Sequence, residues 1–410
     1  MQNKKIVTII GGGASGIMAA ISCKIHNPDY EVVILEKNFK IGRKILATGN
    51  GRCNITNSNL KLENYHTSSK TKELIQNIFK EFNEEKIINF FNNQNLELKT
   101  EKEGRIFPRT NQALAVVKCL EYEMERLKIK IEYNFNVANI KKHDNKFIIE
   151  VYRGTPIKSD FLIIATGGLS YKDLGSTGDG YIFAKNFGHS LIKNFPSITA
   201  LKLNSKILKK ISGVRQEVLV KVIVDNEIIK EYFEEILFTD YGISGSAILQ
   251  ISRTAIENLL RNKKVFIGIQ FTYESVKKEQ VKKILLRQID LSQEKKLKSV
   301  LLYFLNTILI DNLFDEVKDK LCKDLSNIEI KRIVEILTDT RFEVSGYKDW
   351  EQAQITTGGV NIDEINPTTL ESKKEKGLYF CGEILDVDGD CGGYNLSWAW
   401  SSGWVVGGLI

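Results

Sequence analysis

The chain opens on KKIVTII at 4–10, a run of β-branched and apolar residues without the alternation of a half-buried strand. A short continuous apolar run that stops at glycines predicts a strand buried on both faces, as in a parallel sheet. EVVIL at 31–35, DFLIIA at 160–165 and GLYF at 377–380 have the same character. Between the first two lies IMAAISCKI at 17–25, apolar over a helical length and closed by Pro28. Strand, helix and strand within about thirty residues is the βαβ unit of an α/β domain. The middle of the chain reads differently. EVLVKVIV at 217–224 and KVFIGIQF at 264–271 predict strands of a small β-barrel-like module. From Val276 to Leu337, residues such as Val281, Ile284, Leu285, Val300, Leu301, Phe304 and Leu305 recur at helical spacing among lysines, which predicts a helical hairpin or bundle.

Composition narrows the class without naming it. At 410 residues there is room for two or three domains of roughly 100–200 residues each. No run approaches the roughly 18 apolar residues that a membrane span needs, so no membrane partner is expected. The basic, apolar lead MQNKKIVTII is cut short by glycines, which argues against a signal peptide and for a cytoplasmic protein. Six cysteines are scattered with no C-x-x-C spacing, so free thiols are expected rather than disulfides or a dithiol relay. The net charge of +7 arises from 58 basic residues interspersed with 51 acidic ones. That mixture predicts a solvated surface and no nucleic-acid partner.

The first chemical signal is GGGASG at 11–16, placed where the first strand meets the first helix. In G-x-G-x-x-G, Gly11 permits the turn, Gly13 lets backbone approach a pyrophosphate, and Gly16 lets the helix pack on the strand. The amides of Gly13, Ala14, Ser15 and Gly16 then face phosphate at a helix N-terminus. Glu36 ends the second strand about 20 residues on, where the motif expects an acid on the ribose hydroxyls. An anion there disfavours a 2′-phosphate. Lys37 follows as a candidate for adenine or phosphate, or as a solvated strand-end lysine.

What comes next separates FAD from a nicotinamide cofactor. GRKILATGNGRCN at 42–54 is basic and glycine-rich, as a segment wrapping a long phosphate-bearing ligand would be. The strand at 160–165 ends in Thr166, Gly167 and Gly168, and the strand at 377–380 runs into Gly382 and Glu383. The stretches IIGGGASGIMAA, GRKILATGNGRCNITN, EGRIFPRTNQA, IATGGLSYKDLGSTGDGY, FTDYGISGSAILQIS and TTGGVNIDEINPTTLESKKEKGLYFCGEILDVDGDCGGYNLSWAWSSG together resemble the bacterial NAD(P)/FAD-dependent oxidoreductase family, the aminoacetone-oxidase-like and bile-acid-reductase-like flavoproteins. The resemblance runs from residue 6 to residue 407. It implies an α/β fold with a Rossmann-like FAD-binding domain of the two-dinucleotide-binding type, interrupted by a β-barrel-like and a helical module. The domains are then 1–192 with 353–410 for FAD, 193–272 with 340–352 for the β-rich insertion, and 273–339 for the helices.

The resemblance also implies roles. Arg43 and Lys44 offer charge to the pyrophosphate, while Thr48, Gly49, Asn50, Gly51, Arg52, Cys53 and Asn54 pass near the ribityl chain and flavin ring. Val137 supplies backbone contacts to adenine. Gly382 and Glu383 meet the ribityl hydroxyls, and the helix that starts near Gly393 aims the amides of Asn395 and Leu396 at a flavin carbonyl. The positive end of that helix favours negative charge on the flavin. The activity implied is hydride transfer between FAD and a small organic substrate, with NADH or NADPH as transient co-substrate, or oxygen, as second redox partner.

Catalytic candidates are fewer. Asp240 stands where the family usually has His, and Tyr241 and Tyr394 are alternative proton donors, though each is as readily a packing residue. Cys53 reads as a buried thiol more readily than as a redox group. The four histidines are dispersed, no metal motif occurs, and the DVDGD ladder at 386–390 lacks the glycine and glutamate of a calcium loop. An RNA-modifying or RNA-binding flavoprotein and a non-catalytic FAD sensor are the rival readings.

Overall fold

In the computed structural model, which describes residues 4–152, 154–272 and 276–410, each apolar run read above as a strand contains one, and the run at 17–25 lies in a helix. The chain divides into two compact units, one made of residues 4–196 and 354–410, the other of 197–353. Residues 1–3 of the expected FAD domain and 273–275, where the helical insertion is expected to begin, lie outside the described residues.

The first unit is built on strands β1 (Ile6–Ile10), β2 (Glu31–Leu35), β3 (Lys130–Glu132) and β4 (Phe161–Ile164). The second unit carries β5 (Leu201–Leu203), β6 (Arg215–Val224), β7 (Glu227–Thr239), β8 (Gly242–Ser244), β9 (Val265–Gln270) and β10 (Thr340–Tyr347). The chain then returns to the first unit with β11 (Ile355–Val360) and β12 (Leu378–Phe380). In the first unit β12, β4, β1, β2 and β3 lie side by side in that order, all pairs parallel. Central β1 is buried on both faces, with Thr8 and Ile10 on one side as enclosed as Val7 and Ile9 on the other, which is why the run shows no alternation.

Helix α1 (Ala14–His26) follows β1 and packs along the last helix of the unit, at 394–408. The close approach needs glycine: a Cβ on Gly403 would lie 2.3 Å from Ser15 O, and one on Gly407 2.2 Å from Ala19 O. Trp398 and Trp400 anchor the last helix. Both are buried, with indole N–H groups donating to Gly382 O at 3.1 Å and Ile55 O at 3.0 Å.

In the second unit the strands β5, β8, β7, β6, β9 and β10 close into a barrel. Asp225 and Asn226, at φ 53° and 65°, form the tight β6–β7 turn, the left-handed pair that matches strand twist. Helix Ser246–Leu260 packs against the barrel strands. Helices Lys278–Asp290 and Asn327–Thr338 pack on each other, and the second also packs on β9, so the helical spacing read from 276–337 buries one stripe of each. Among the described residues no helix is long and apolar enough to cross a membrane.

Candidate functional site

A cleft with about 1280 Å³ of free space, its solvent-facing mouth included, opens at the C-terminal ends of β1, β2 and β4, where open α/β sheets place ligands. Its lining comes from the first unit. Gly11 starts the turn: its N–H donates to Leu35 O at 2.9 Å, its φ is 110°, and a Cβ would sit 2.5 Å from Ala165 O. Gly16 is constrained by packing, since a Cβ there would be 2.0 Å from Gly11 O. Gly13 differs from both. A Cβ on it would meet nothing within 4 Å, so its backbone borders open space in the cleft. The first intrahelical bond of α1 is Ile17 N–H to Gly13 O, which leaves the amides of Ala14, Ser15 and Gly16 ahead of the ladder.

Glu36 is buried and held in place. Oε2 accepts the Gly12 N–H at 2.8 Å, while Oε1 accepts the Asn38 N–H at 2.8 Å and Nδ2 at 2.6 Å. A carboxylate offers about four acceptor positions, so one remains on Oε2 for an incoming donor. Asn38 Oδ1 accepts from Arg43 at 2.7 Å, which turns that guanidinium toward β2. Val137, Thr166 and Gly167 line the cleft, and Thr166 Oγ1 is a buried hydroxyl with no partner among the described residues.

The long side chains find partners that spacing did not disclose. Lys37 pairs with Asp179 at 2.8 Å and also donates to Thr177 Oγ1. Lys44, expected to face phosphate, instead pairs with Glu383 at 2.7 Å and donates to Ser170 Oγ at 2.8 Å. Glu383 further accepts the Thr356 N–H at 2.8 Å and the Ser170 hydroxyl at 3.2 Å. Lys44 and Glu383 therefore act as one unit on the cleft wall.

At the far end, helix 394–408 begins at Gly393, φ 102°, and its first bond is Ser397 N–H to Gly393 O at 3.0 Å. The amides of Tyr394, Asn395 and Leu396 precede it, and Asn395 and Leu396 line the cleft. Asn395 braces the preceding turn, with Oδ1 accepting the Gly389 N–H and Nδ2 donating to Gly389 O, both at 2.8 Å.

Apart from Thr48, the other expected residues are not on the cleft wall. Thr48 lines the cleft; Gly49, Asn50 and Gly51 form a left-handed turn at φ 56°, 56° and 81°. Arg52 stacks on the Phe107 ring at 4.0 Å and bonds Glu101 and Asn111. Cys53 is fully buried, and burial pushes its thiol up to about 12, which makes it a packing group. Asn54 lies behind it, its Oδ1 buried and unpartnered among the described residues. Gly168 is packed by Thr356, and Gly382 (φ 78°) donates its N–H to Ser402 Oγ at 2.9 Å. Tyr394 packs edge-on against Tyr65, and burial holds its hydroxyl above the usual phenol range. Asp240 and Tyr241 sit in the β7–β8 turn of the other unit, Asp240 exposed and Tyr241 with Lys348 Nζ 3.8 Å above its ring.

Sequence reasoning passed over Gly12, Asn38 and the wall at 174–179, whose signal was the glycine-dense LGSTGDG. The aspartate ladder dissolves into separate clamps. Asp386 Oδ2 accepts the Thr67 hydroxyl, the Ser68 and Ser69 amides and the Ser69 hydroxyl within 2.8–3.0 Å, while Asp390 bonds His66 at 3.1 Å.

A family model described as the HI0933-like protein Rossmann domain matches residues 5–409. The 3-dehydro-bile acid delta(4,6)-reductase of Clostridium scindens is 35% identical over 404 residues, 98% of each chain. A ribosomal RNA dihydrouridine synthase of Haemophilus influenzae is 31% identical over 409 residues, 97% of this chain and 96% of its own. Among solved structures, the 3-ketosteroid delta1-dehydrogenase of Sterolibacterium denitrificans superposes with a TM-score of 0.51 over 99% of both chains at 11% identity, a likeness of fold. The chain belongs to the HI0933-like family, the FAD-binding Rossmann flavoproteins that its motifs resemble.

Proposed function

We propose that this protein is an FAD-dependent reductase of a carbon–carbon double bond conjugated to a carbonyl. The observation that carries the reading is the pairing of two cleft ends: open backbone at Gly13 beside the leading amides of α1, and the leading amides of helix 394–408. Both ends favour anionic groups, so a ligand with phosphates at one and an electron-accepting carbonyl at the other is matched in charge. The free acceptor on Glu36 fits a ligand with a ribose hydroxyl. When bound, FAD would supply the hydride.

In this reading Gly11, Gly13, Ala14, Ser15 and Gly16 hold the pyrophosphate, Glu36 the ribose, Lys44 with Glu383 the ribityl side, and Asn395 and Leu396 the flavin edge. Asp240 and Tyr241 are the candidates for the proton donor to the carbon next to the carbonyl. Tyr394 is set aside because its ring is packed away. The domain division 1–192 with 353–410, 193–272 with 340–352, and 273–339 is retained as a division of labour, cofactor in the first and specificity in the insertions.

The relatives support the reaction class. A 3-dehydro-bile acid with unsaturation at positions 4 and 6 is a conjugated ketone, and dihydrouridine forms by reducing the uracil double bond next to its carbonyl. The two substrates differ while the chemistry is shared. A small steroid-like enone, with NADH or NADPH as reductant, is the first reading. A second places the double bond in ribosomal RNA, favoured by the whole-length identity to the Haemophilus protein.

Anaerobic mixing of the yellow protein with NADH or NADPH should bleach its visible band, and a steroid dienone should restore it. Restoration only by uridine-containing ribosomal RNA selects the second reading. No bleaching by either nucleotide sinks the reductase proposal.

A further inference from the structure

Residues 174–179 form the wall of the cleft facing the end of β2, and three contacts tie this segment to the residues after that strand. Lys37 Nζ pairs with Asp179 Oδ2 at 2.8 Å and donates to Thr177 Oγ1, whose hydroxyl in turn donates to Asp179 Oδ2 at 2.8 Å. Gly175, at φ 116°, passes so near that a Cβ on it would lie 2.5 Å from Asn38 Nδ2. Asn38 is itself the hub that holds Glu36 Oε1 and Arg43. The segment, the ribose acceptor and the start of the basic loop thus meet in one junction. Phe135 and Val137 line the same end of the cleft, and Phe135 N–H donates to Glu36 O at 2.9 Å.

We propose that residues 174–179 are a strap, latched by Lys37 to Asp179 and seated on Asn38, that closes over the adenylate half of the dinucleotide and makes the cleft hold FAD in preference to FMN. The inference rests on the reading of the cleft as an FAD site. Its logic is positional. The latch lies at the Glu36 end, so it acts on a ligand that carries an adenosine and has nothing to grip on one that stops at the first phosphate. Lys37 and Asp179 keep 27% and 39% of their side-chain surface exposed. An ion pair in that setting is weak enough to open for exchange yet strong enough to slow it. Lys37 and Asn38 are positioning residues here, acting through the strap and through Glu36.

The test uses the full chain, stripped of flavin and reloaded, with release followed by the rise in free-flavin fluorescence. Lys37→Met and Asp179→Asn should each speed FAD release roughly 3- to 10-fold, the range expected for removing a partly exposed, charge-assisted pair. The exchanged pair Lys37→Asp with Asp179→Lys should recover part of that factor. ADP, which has the adenosine and both phosphates but no flavin, should compete with FAD less well in the single variants by a similar factor. FMN affinity should move less than about twofold. Circular dichroism of the stripped variants separates misfolding from release, and Asn38→Ala provides a further variant with the same expected pattern. Wild-type release rates in well-folded single variants would overturn the strap, and so would equal losses of FMN and FAD. A wild-type protein that binds no FAD would instead overturn the cofactor reading beneath it.

Discussion

Replacing Gly13 by alanine separates the fold from the cofactor. Gly13 has φ −86° and ψ −173°, extended geometry that any residue adopts, and a Cβ there meets nothing within 4 Å. In the stripped protein two small terms oppose each other. Losing glycine restricts the unfolded chain and stabilises by about 0.4–1 kcal/mol, while alanine is the poorer N-cap by several tenths to about 1 kcal/mol. The melting temperature of flavin-free protein should therefore barely move. With FAD the same methyl occupies the space where phosphate approaches backbone. Forcing a methyl into a filled contact costs about 1–3 kcal/mol, roughly a 5- to 150-fold loss of affinity. At an FAD concentration of about 100 times the wild-type dissociation constant, ligand stabilisation of about 2.7 kcal/mol would fall to roughly 0.4 kcal/mol for a 100-fold weaker variant. Thermal melts with and without FAD, beside a fluorescence titration, read both quantities. Gly16→Ala is the control for a packing glycine, because its Cβ would meet Gly11 O at 2.0 Å and destabilise even the stripped protein. Wild-type FAD affinity in Gly13→Ala would refute the placing of the phosphates against this backbone.

Two further outcomes follow from buried groups. His189 is buried with Nε2 2.7 Å from Ser372 Oγ and Nδ1 3.2 Å from Glu364 Oε2, and burial holds its pKa below the usual imidazole value. Below pH about 6.5 the unfolded chain takes up a proton that the folded one resists, so stability present above that pH is lost as pH falls; urea midpoints should drop between pH about 7.5 and about 5.5, less so in His189→Gln, and an equal drop in the variant would place the effect elsewhere. Cys391 alone of the six cysteines is partly exposed, while burial pushes the thiols of Cys23, Cys53 and Cys381 up to about 12; a thiol reagent should label roughly one equivalent quickly in the native protein, and Cys391→Ser should abolish that phase.

The backbone of the site was legible because it follows from local rules. A continuous apolar run names a buried parallel strand, and the glycines at 11, 13 and 16 mark the turn that such a strand needs before a helix. The start of helix 394–408 was legible for the same reason, since Gly393 and the tryptophans announce a helix entering the core. Long polar side chains were not. Lys44 meets Glu383 across 339 positions, and Arg52 turns to Glu101, Asn111 and Phe107, partners that no spacing within GRKILATGNGRCN encodes. A basic loop states that charge is near the cleft; whether the charge reaches a ligand or a neighbouring carboxylate is decided by packing of distant segments. Asn38 went unnoticed because its role lies in Glu36 and Arg43, not in any motif of its own.

The seating of β12 against β4, and of helix 394–408 against α1, sets an order of events during synthesis. Both partners leave the ribosome after the whole of the second unit. Until then β4 is an open sheet edge and the glycine-matched face of α1 has nothing to pack on. Completion of the nucleotide-binding sheet is consequently a late event of very high sequence separation, slow by its loop-closure entropy and exposed meanwhile to mispairing. A nascent chain of this design gains from a chaperone that shields that edge, and from a cofactor that arrives only once the final helix has docked.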